Sequence, residues 1–284
     1  MEQKDVVIIG GGAGGLTCAS VLSQLGLKTV LIEKNQQLGG DCLHYGCVPS
    51  KTLLNQAKIA HILNQNNGLT TKEDKDAFFK NAMQTVKNVI ATIQKHDAAE
   101  RFEGYGCEVL FGNAKFIANK TIEINQRQIY AKRVIIATGS SPVAPPIKGL
   151  NEIDYLTNET IFNLINRPEK LIIIGAGVIG IEMAQAFARF GVEVHVVDVA
   201  KNILPTIDNE VSETLQGLLE KESIHFHLNA NMQKINKVNG QYQVTLTAND
   251  KQITLQAEQL LVATGRKPNC VDLDLEKTGV IFQK

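Results

Sequence analysis

The chain has 284 residues, 44% of them hydrophobic and 20% charged, with 29 Lys plus Arg balancing 29 Asp plus Glu. That length suits about two domains of ~150 residues and buries a core without disulfide staples. Zero net charge leaves no electrostatic footprint for nucleic acid or an anionic membrane surface, and no apolar run reaches the ~20 residues of a membrane helix. Five cysteines are too few and too odd a count for a disulfide scaffold. No basic and then apolar leader precedes the first strand-like run, so the expected compartment is the cytoplasm. There, a cysteine pair would be catalytic rather than structural.

The first element, residues 6–33, reads VVIIGGGAGGLTCASVLSQLGLKTVLIE. It is an apolar strand, a glycine turn, a helix, a second apolar strand and a closing carboxylate, the pattern of a dinucleotide-binding βαβ unit. Gly10 permits the tight turn, Gly12 lets backbone approach a pyrophosphate, and Gly15 packs helix on strand. Ala13 and Gly14 open the helix whose N–H groups face the anion. Glu33 comes 18 residues after Gly15, where an acid accepts from ribose hydroxyls.

Residues 39–54 follow as GGDCLHYGCVPSKTLL, with Cys42 and Cys47 five apart. An ideal helix separates such residues by ~7.5 Å of rise, and a disulfide needs ~4.4–6.8 Å. A bonded pair therefore requires a distorted turn, for which Gly46 supplies backbone freedom. Pro49 suits the first position of a following helix. Cys47 then sits at a helix N-terminus near Lys51, and both features favour a thiolate. Two other readings stand beside a reactive pair. One is two inert thiols. The other is a partial zinc set of Cys42, His44 and Cys47, although Cys18, Cys107 and Cys270 are too scattered to complete four ligands. The expectation is no metal site.

Residues 70–104 carry Phe78, Phe79, Ala82, Val86, Val89, Ile90 and Ile93 at near-helical period, which reads as an amphipathic surface helix. Arg133–Gly139, RVIIATG, is a core-type strand ending in a small-residue turn. The stretch PVAPPIKGLN, residues 142–151, marks a domain boundary.

Residues 171–198, LIIIGAGVIGIEMAQAFARFGVEVHVVD, then repeat the first unit at an offset of 165 without a gap. Gly175, Gly177 and Gly180 fall on Gly10, Gly12 and Gly15, and Asp198 falls on Glu33. Gln259–Gly265, QLLVATG, echoes RVIIATG. One glycine motif is weak, but two, each after a strand and each closed by an acid, imply two nucleotides.

Taken with GAGVIGIE, ATGSSPVAPPIKGL and VATGRKPN, the segment GGDCLHYGCVPSK resembles the class I pyridine nucleotide–disulfide oxidoreductases. That family includes dihydrolipoamide dehydrogenase, glutathione reductase and mercuric reductase. The PSK ending is more similar to the first and last of these. The resemblance covers nearly the whole chain. It implies an α/β fold of two Rossmann-like dinucleotide-binding domains, an FAD domain (1–148) with an inserted NAD(P) domain (149–268) and a return to the FAD domain (269–284).

By resemblance, FAD is held by Gly10, Gly12, Ala13, Gly14, Gly15, Glu33, Lys34, Gly40, Asp41, Cys42, Lys51, Ala114, Ala137, Thr138 and Gly139. The nicotinamide nucleotide is held by Gly175, Ala176, Gly177, Val178, Ile179, Gly180, Asp198 and Gly265. Asp198 favours NADH over NADPH by repelling a 2′-phosphate. The Cys42–Cys47 disulfide is the redox centre, with Cys47 against the flavin and Cys42 as the interchange thiol, and Lys51 and Glu182 pair near the reactive flavin nitrogen. The implied activity passes electrons between nicotinamide, FAD and that disulfide, onward to a small-molecule or protein disulfide or dithiol, or to a metal ion.

Two departures stand out. Asp41 replaces the family's threonine, and His44-Tyr45 replaces Asn-Val. Family members also continue beyond TGVIFQK into an interface domain that makes them homodimers and supplies a His–Glu acid–base pair. No His-x-x-x-x-Glu occurs here, and His195, His225 and His227 read as structural. The chain is therefore expected to lack that domain and to be monomeric. The competing reading is a nucleotide-binding fragment or paralogue without full turnover.

Overall fold

The computed structural model describes residues 2–248 and 251–281. Residues 282–284 of the expected return segment lie outside the described residues.

The chain begins with β1 (Glu2–Ile9), α1 (Ala13–Gln24) and β2 (Thr29–Glu33), then α2 (Gly40–His44) and α3 (Cys47–Gln65). Two further helices follow, α4 (Lys72–Gln94) and α5 (Ala99–Gly104). The predicted helix over 70–104 is thus two helices, broken at the Lys95–Ala98 turn, where His96 and Asp97 N–H groups close back on Ile93 and Gln94 carbonyls. Next come β3 (Glu108–Phe111), β4 (Lys115–Ala118), β5 (Thr121–Ile124), β6 (Arg127–Ile136) and β7 (Ser140–Pro142). The second nucleotide unit is β8 (Lys170–Ile174), α6 (Val178–Arg189) and β9 (Glu193–Val197), followed by α7 (Asn209–Lys221) and β10 (Ile224–His227). The chain goes on through β11 (Asn231–Val238), β12 (Gln241–Ala248), β13 (Lys251–Ala257), β14 (Gln259–Val262) and β15 (Arg266–Pro268).

These elements sort into two compact units. The first comprises Met1–Cys47, Ile90–Ser141 and Lys267–Lys284. Its sheet runs β3-β2-β1-β6-β5-β4, parallel from β3 to β6 and antiparallel from β6 to β4. Val6, Val7, Ile8 and Ile9 are all buried because β1 is central and covered on both faces. One face packs Leu16, Ala19 and Phe102, and the other packs Phe116, Ile122, Leu273 and Leu275.

The second unit comprises Val48–Val89 and Pro142–Arg266. Its parallel sheet runs β10-β9-β8-β14, and the antiparallel meander β11-β12-β13 packs Val244, Leu246 and Leu255 on Ile172, Ile174 and Leu260. The apolar stripe of α4 is buried here. Phe79 is fully buried, with its ring 5.3 Å edge-to-face from Phe190 and 5.8 Å from Phe187. Such aromatic pairs add ~0.5–1.5 kcal/mol each beyond area burial.

Candidate active site

In the first unit, Gly10 turns the chain out of β1, its N–H donating to Ile32 O at 2.8 Å. Its φ of +109° and the Ala137 carbonyl oxygen, which would stand 2.3 Å from any Cβ there, leave room only for glycine. Gly12 caps α1 with extended backbone and no side-chain cap, and the first turn of α1 has no acid. The orphan N–H groups therefore stay available to an anion. A Cβ on Gly14 would meet nothing within 4 Å, whereas one on Gly15 would strike Gly10 O at 1.8 Å, so Gly15 sets helix against strand.

The second nucleotide unit repeats the main features of this turn. Gly175 N donates to Val197 O at 2.9 Å. A Cβ on Gly175 would meet Ala263 O at 2.4 Å, and one on Gly180 would meet Gly175 O at 1.9 Å. Gly177 caps α6 without a side-chain cap or a first-turn acid, and a Cβ on it would meet open space. Val178 and Ile179 open the helix, and Val178 is exposed. Both turns therefore have the free donors and clearance that a pyrophosphate requires.

The two carboxylates are matched as well. Glu33, buried, accepts the Gly11 N–H on Oε2 at 2.7 Å and the Asn35 N–H on Oε1 at 2.8 Å. Asp198 accepts the Ala176 N–H on Oδ2 at 2.6 Å and the Ala200 N–H on Oδ1 at 2.7 Å. Each oxygen keeps a lone pair for a ribose hydroxyl. Gly11, Asn35 and Ala200 were not singled out from the sequence. They act through main-chain N–H groups, and their only sequence signal is position, directly after the turn glycine or two residues past the acid. Lys34 and Lys201 are exposed beside these acids, and Val199 is 69% exposed.

The cysteine segment is built onto the first turn. Gly39 N donates to Gly11 O at 2.8 Å, and a Cβ on Gly40 (φ +59°) would stand 2.6 Å from Gly12 Cα. Cys42 lies in α2, Tyr45 and Gly46 break the helix, and Cys47 opens α3. The distorted turn expected between the cysteines is present. Gly46 does not serve it through backbone freedom, because its φ is not positive. It serves by space, since a Cβ there would stand 3.1 Å from Asp41 O. Pro49 is the third residue of α3, not the first; its missing N–H is still tolerated because it falls within the first turn.

Cys42 is half-buried, Cys47 is exposed, and the two are not joined in the expected disulfide but hydrogen-bond to each other through their side chains. Burial first, and then the Cys47 sulfur, push the Cys42 thiol up to about 11. The carbonyl of Leu38 accepts from His44 Nε2 at 3.0 Å and from Gln94 Nε2 at 3.2 Å.

Lys51, in the first turns of α3, meets Glu182 of α6 at 3.3 Å, with the lysine 70% exposed. Ala114 is buried in the core between β3 and β4. Thr138 O and Gly139 O accept from Asn269 Nδ2 and N, each at 3.0 Å, and Gly265 O accepts from Val143 N at 3.1 Å. His195, His225 and His227 are more than separate strand residues. They stack on β9 and β10 with ring centroids 4.9 and 5.3 Å from His195, which also meets Glu193 at 3.0 Å. Among the described residues, no group of three or more His, Cys, Asp or Glu is placed to hold a metal ion, and no helix is long and apolar enough to cross a membrane.

The profile of the pyridine nucleotide-disulphide oxidoreductase family matches residues 4–284. A mercuric reductase of Lysinibacillus sphaericus is 34% identical over 281 residues, 98% of this chain and 51% of its own length. Mitochondrial dihydrolipoyl dehydrogenase 1 of Arabidopsis thaliana is 36% identical over 294 residues, 100% of this chain and 57% of its own. The HOCl-induced flavoprotein disulfide reductase RclA of Escherichia coli, solved as a Cu(II) complex, superposes with a TM-score of 0.85 at 29% identity, over 100% of this chain and 61% of that one. The chain thus spans about half the length of the curated relatives it matches. On the extent of these matches, the chain belongs to the pyridine nucleotide-disulphide oxidoreductase family.

Proposed function

We propose that the chain carries FAD on its first glycine turn and NADH on its second, and moves electrons between them and the Cys42–Cys47 pair, serving an external disulfide, dithiol or metal ion. The single observation that carries this reading is the duplicated, carboxylate-anchored turn with the cysteine helix built directly onto its first copy. The domain assignment follows the same reading, with FAD served by 1–148 and 269–284 and the nicotinamide nucleotide by 149–268.

When bound, a flavin and a nicotinamide supply the hydride and electron-pair chemistry that side chains lack. The protein's residues bind and orient. The α1 and α6 N-termini hold pyrophosphates, and Glu33 and Asp198 accept ribose hydroxyls with both carboxylates already fixed by backbone N–H groups. Cys42 and Cys47, within hydrogen-bonding reach, pass from one disulfide to two thiols by gaining two electrons and two protons and return by losing them. Lys51 and Glu182 are the proposed charge pair for the flavin ring.

NADH is favoured over NADPH because the Asp198 carboxylate cannot swing away. Its Ala176 and Ala200 donors hold the carboxylate in place, and that fixed negative charge repels a 2′-phosphate. The experiment is anaerobic addition of NADH to flavin-loaded protein while following flavin absorbance. Bleaching by NADH, with NADPH slower, is expected. No bleaching by either donor contradicts the reading and leaves a nucleotide-binding protein without electron transfer.

A further inference from the structure

We propose that His44 is a positioning residue of the redox pair: with Gln94 it donates to the Leu38 carbonyl, and the ring of chain so closed holds Cys42 within reach of Cys47. The inference rests on the redox role proposed for that pair.

Cys42 rides on α2, a helix of five residues whose cap, Gly39, offers no side-chain bond. Isolated helices shorter than ~12–15 residues are marginal in water, so α2 depends on contacts from outside itself. Leu38 is the fixed point for those contacts. Its side chain is buried in the core with Val6, Ile8 and Leu16, and the next N–H, that of Gly39, donates to Gly11 O at 2.8 Å. The carbonyl between them accepts from His44 Nε2 at 3.0 Å. His44 lies six residues after Leu38, so this one bond closes residues 38–44 into a ring with Cys42 inside it.

Gln94, the last residue of α4, reaches the same oxygen from a distant part of the chain at 3.2 Å. Its amide has one orientation compatible with that contact, because the flipped amide would set oxygen against oxygen. That orientation leaves Gln94 Oε1 buried with no hydrogen-bond partner among the described residues, an unfavourable arrangement that an apolar side chain would avoid. What the amide provides in return is its bond to Leu38. With the ring closed and tied to α4, Cys42 and Cys47 hydrogen-bond as thiols. Little chain freedom is then left to lose when the S–S bond forms, and the disulfide is favoured accordingly.

The test is the equilibrium of the pair with glutathione, read by alkylation and peptide mapping. One oxidised glutathione takes two electrons and two protons from the thiols, giving one Cys42–Cys47 disulfide and two reduced glutathiones. His44→Phe keeps a ring and removes the donor, and it should lower the constant for disulfide formation about tenfold, equivalent to about 30 mV. His44→Gln carries an amide donor of similar reach and should return to within about threefold of the parent. An unchanged constant in His44→Phe overturns the proposal, and so does a His44→Gln variant as weak as His44→Phe. If His44→Phe does not fold, Gln94→Met is read instead; a fall of about threefold is expected, and no change overturns the proposal. Deuterium uptake over residues 40–46 separates the anchor from the redox role. A parent pair that never bonds overturns the redox role and the positioning role with it, while faster uptake in His44→Phe would still show the anchor.

Discussion

Gly12 and Gly40 approach so closely that a Cβ on Gly40 would stand 2.6 Å from the Gly12 Cα. Gly12 caps the helix proposed to hold pyrophosphate, and Gly40 begins the helix that carries Cys42. The first glycine turn and the cysteine segment therefore share one tight backbone contact.

The first expected consequence is that Gly40→Ala weakens the fold and the proposed flavin site together. The residue sits at φ +59°, where a side chain costs ~1–2 kcal/mol, and the clash is with backbone, which cannot rotate away. A loss of at least ~2 kcal/mol in denaturant unfolding is expected, with reduced flavin content on purification. Stability and flavin content both at the parent level would show that the contact is dispensable.

The second concerns the nicotinamide donor. Two unit charges ~4 Å apart repel by ~4 kcal/mol at an effective dielectric of 20. Screening by solvent and salt at this half-buried site reduces this to about 2–3 kcal/mol, or roughly 30- to 150-fold in affinity. NADH should bind more tightly than NADPH by that factor in fluorescence titration, and Asp198→Ala should narrow the gap. Lys201 offers a 2′-phosphate only one flexible charge, not a bidentate partner. Equal affinities in the parent protein would overturn the assignment.

The third concerns pH. Burial holds both His195 and His227 below the ordinary histidine value, and the neighbouring imidazoles add to the effect. Above about pH 6.5 these rings are neutral folded or unfolded and stability is unaffected. As pH falls below that value the unfolded chain binds protons that the folded chain refuses, so stability drops until the lowered folded values are reached. Glu193 works in a different window. Its carboxyl is held low by His195 and then Lys170, and its contribution fades only below the usual carboxylate range. Melting temperature should therefore fall between about pH 6.5 and pH 5, and His195→Gln should flatten that slope. A parent protein whose melting temperature is level across the interval would contradict the cluster's proposed coupling.

The glycine turns were legible because Gly10, Gly15, Gly175 and Gly180 stand where any Cβ would collide with a carbonyl, so the residue pattern has one structural meaning. The parallel sheets were legible for a similar reason, since runs such as LIIIG are buried on both faces. What escaped was set by contacts distant in sequence or made by main chain. The Leu38 carbonyl that gathers His44 and Gln94 leaves no residue-type signature. The histidine stack forms only because β9 and β10 pair in a register that sets His195 beside His225. The break between α4 and α5 carries no proline or glycine to announce it. Gly46 has an ordinary φ, and its need for glycine comes from the Asp41 atoms folded against it.

The most direct test of the central claim is to count and map thiols. Flavin-loaded protein is oxidised, then reduced anaerobically with one equivalent of NADH, and alkylated before and after. Two new thiols per chain are expected, at Cys42 and Cys47, with Cys18, Cys107 and Cys270 unchanged between the two samples. No new thiols, or new thiols at any of those three positions, would contradict it.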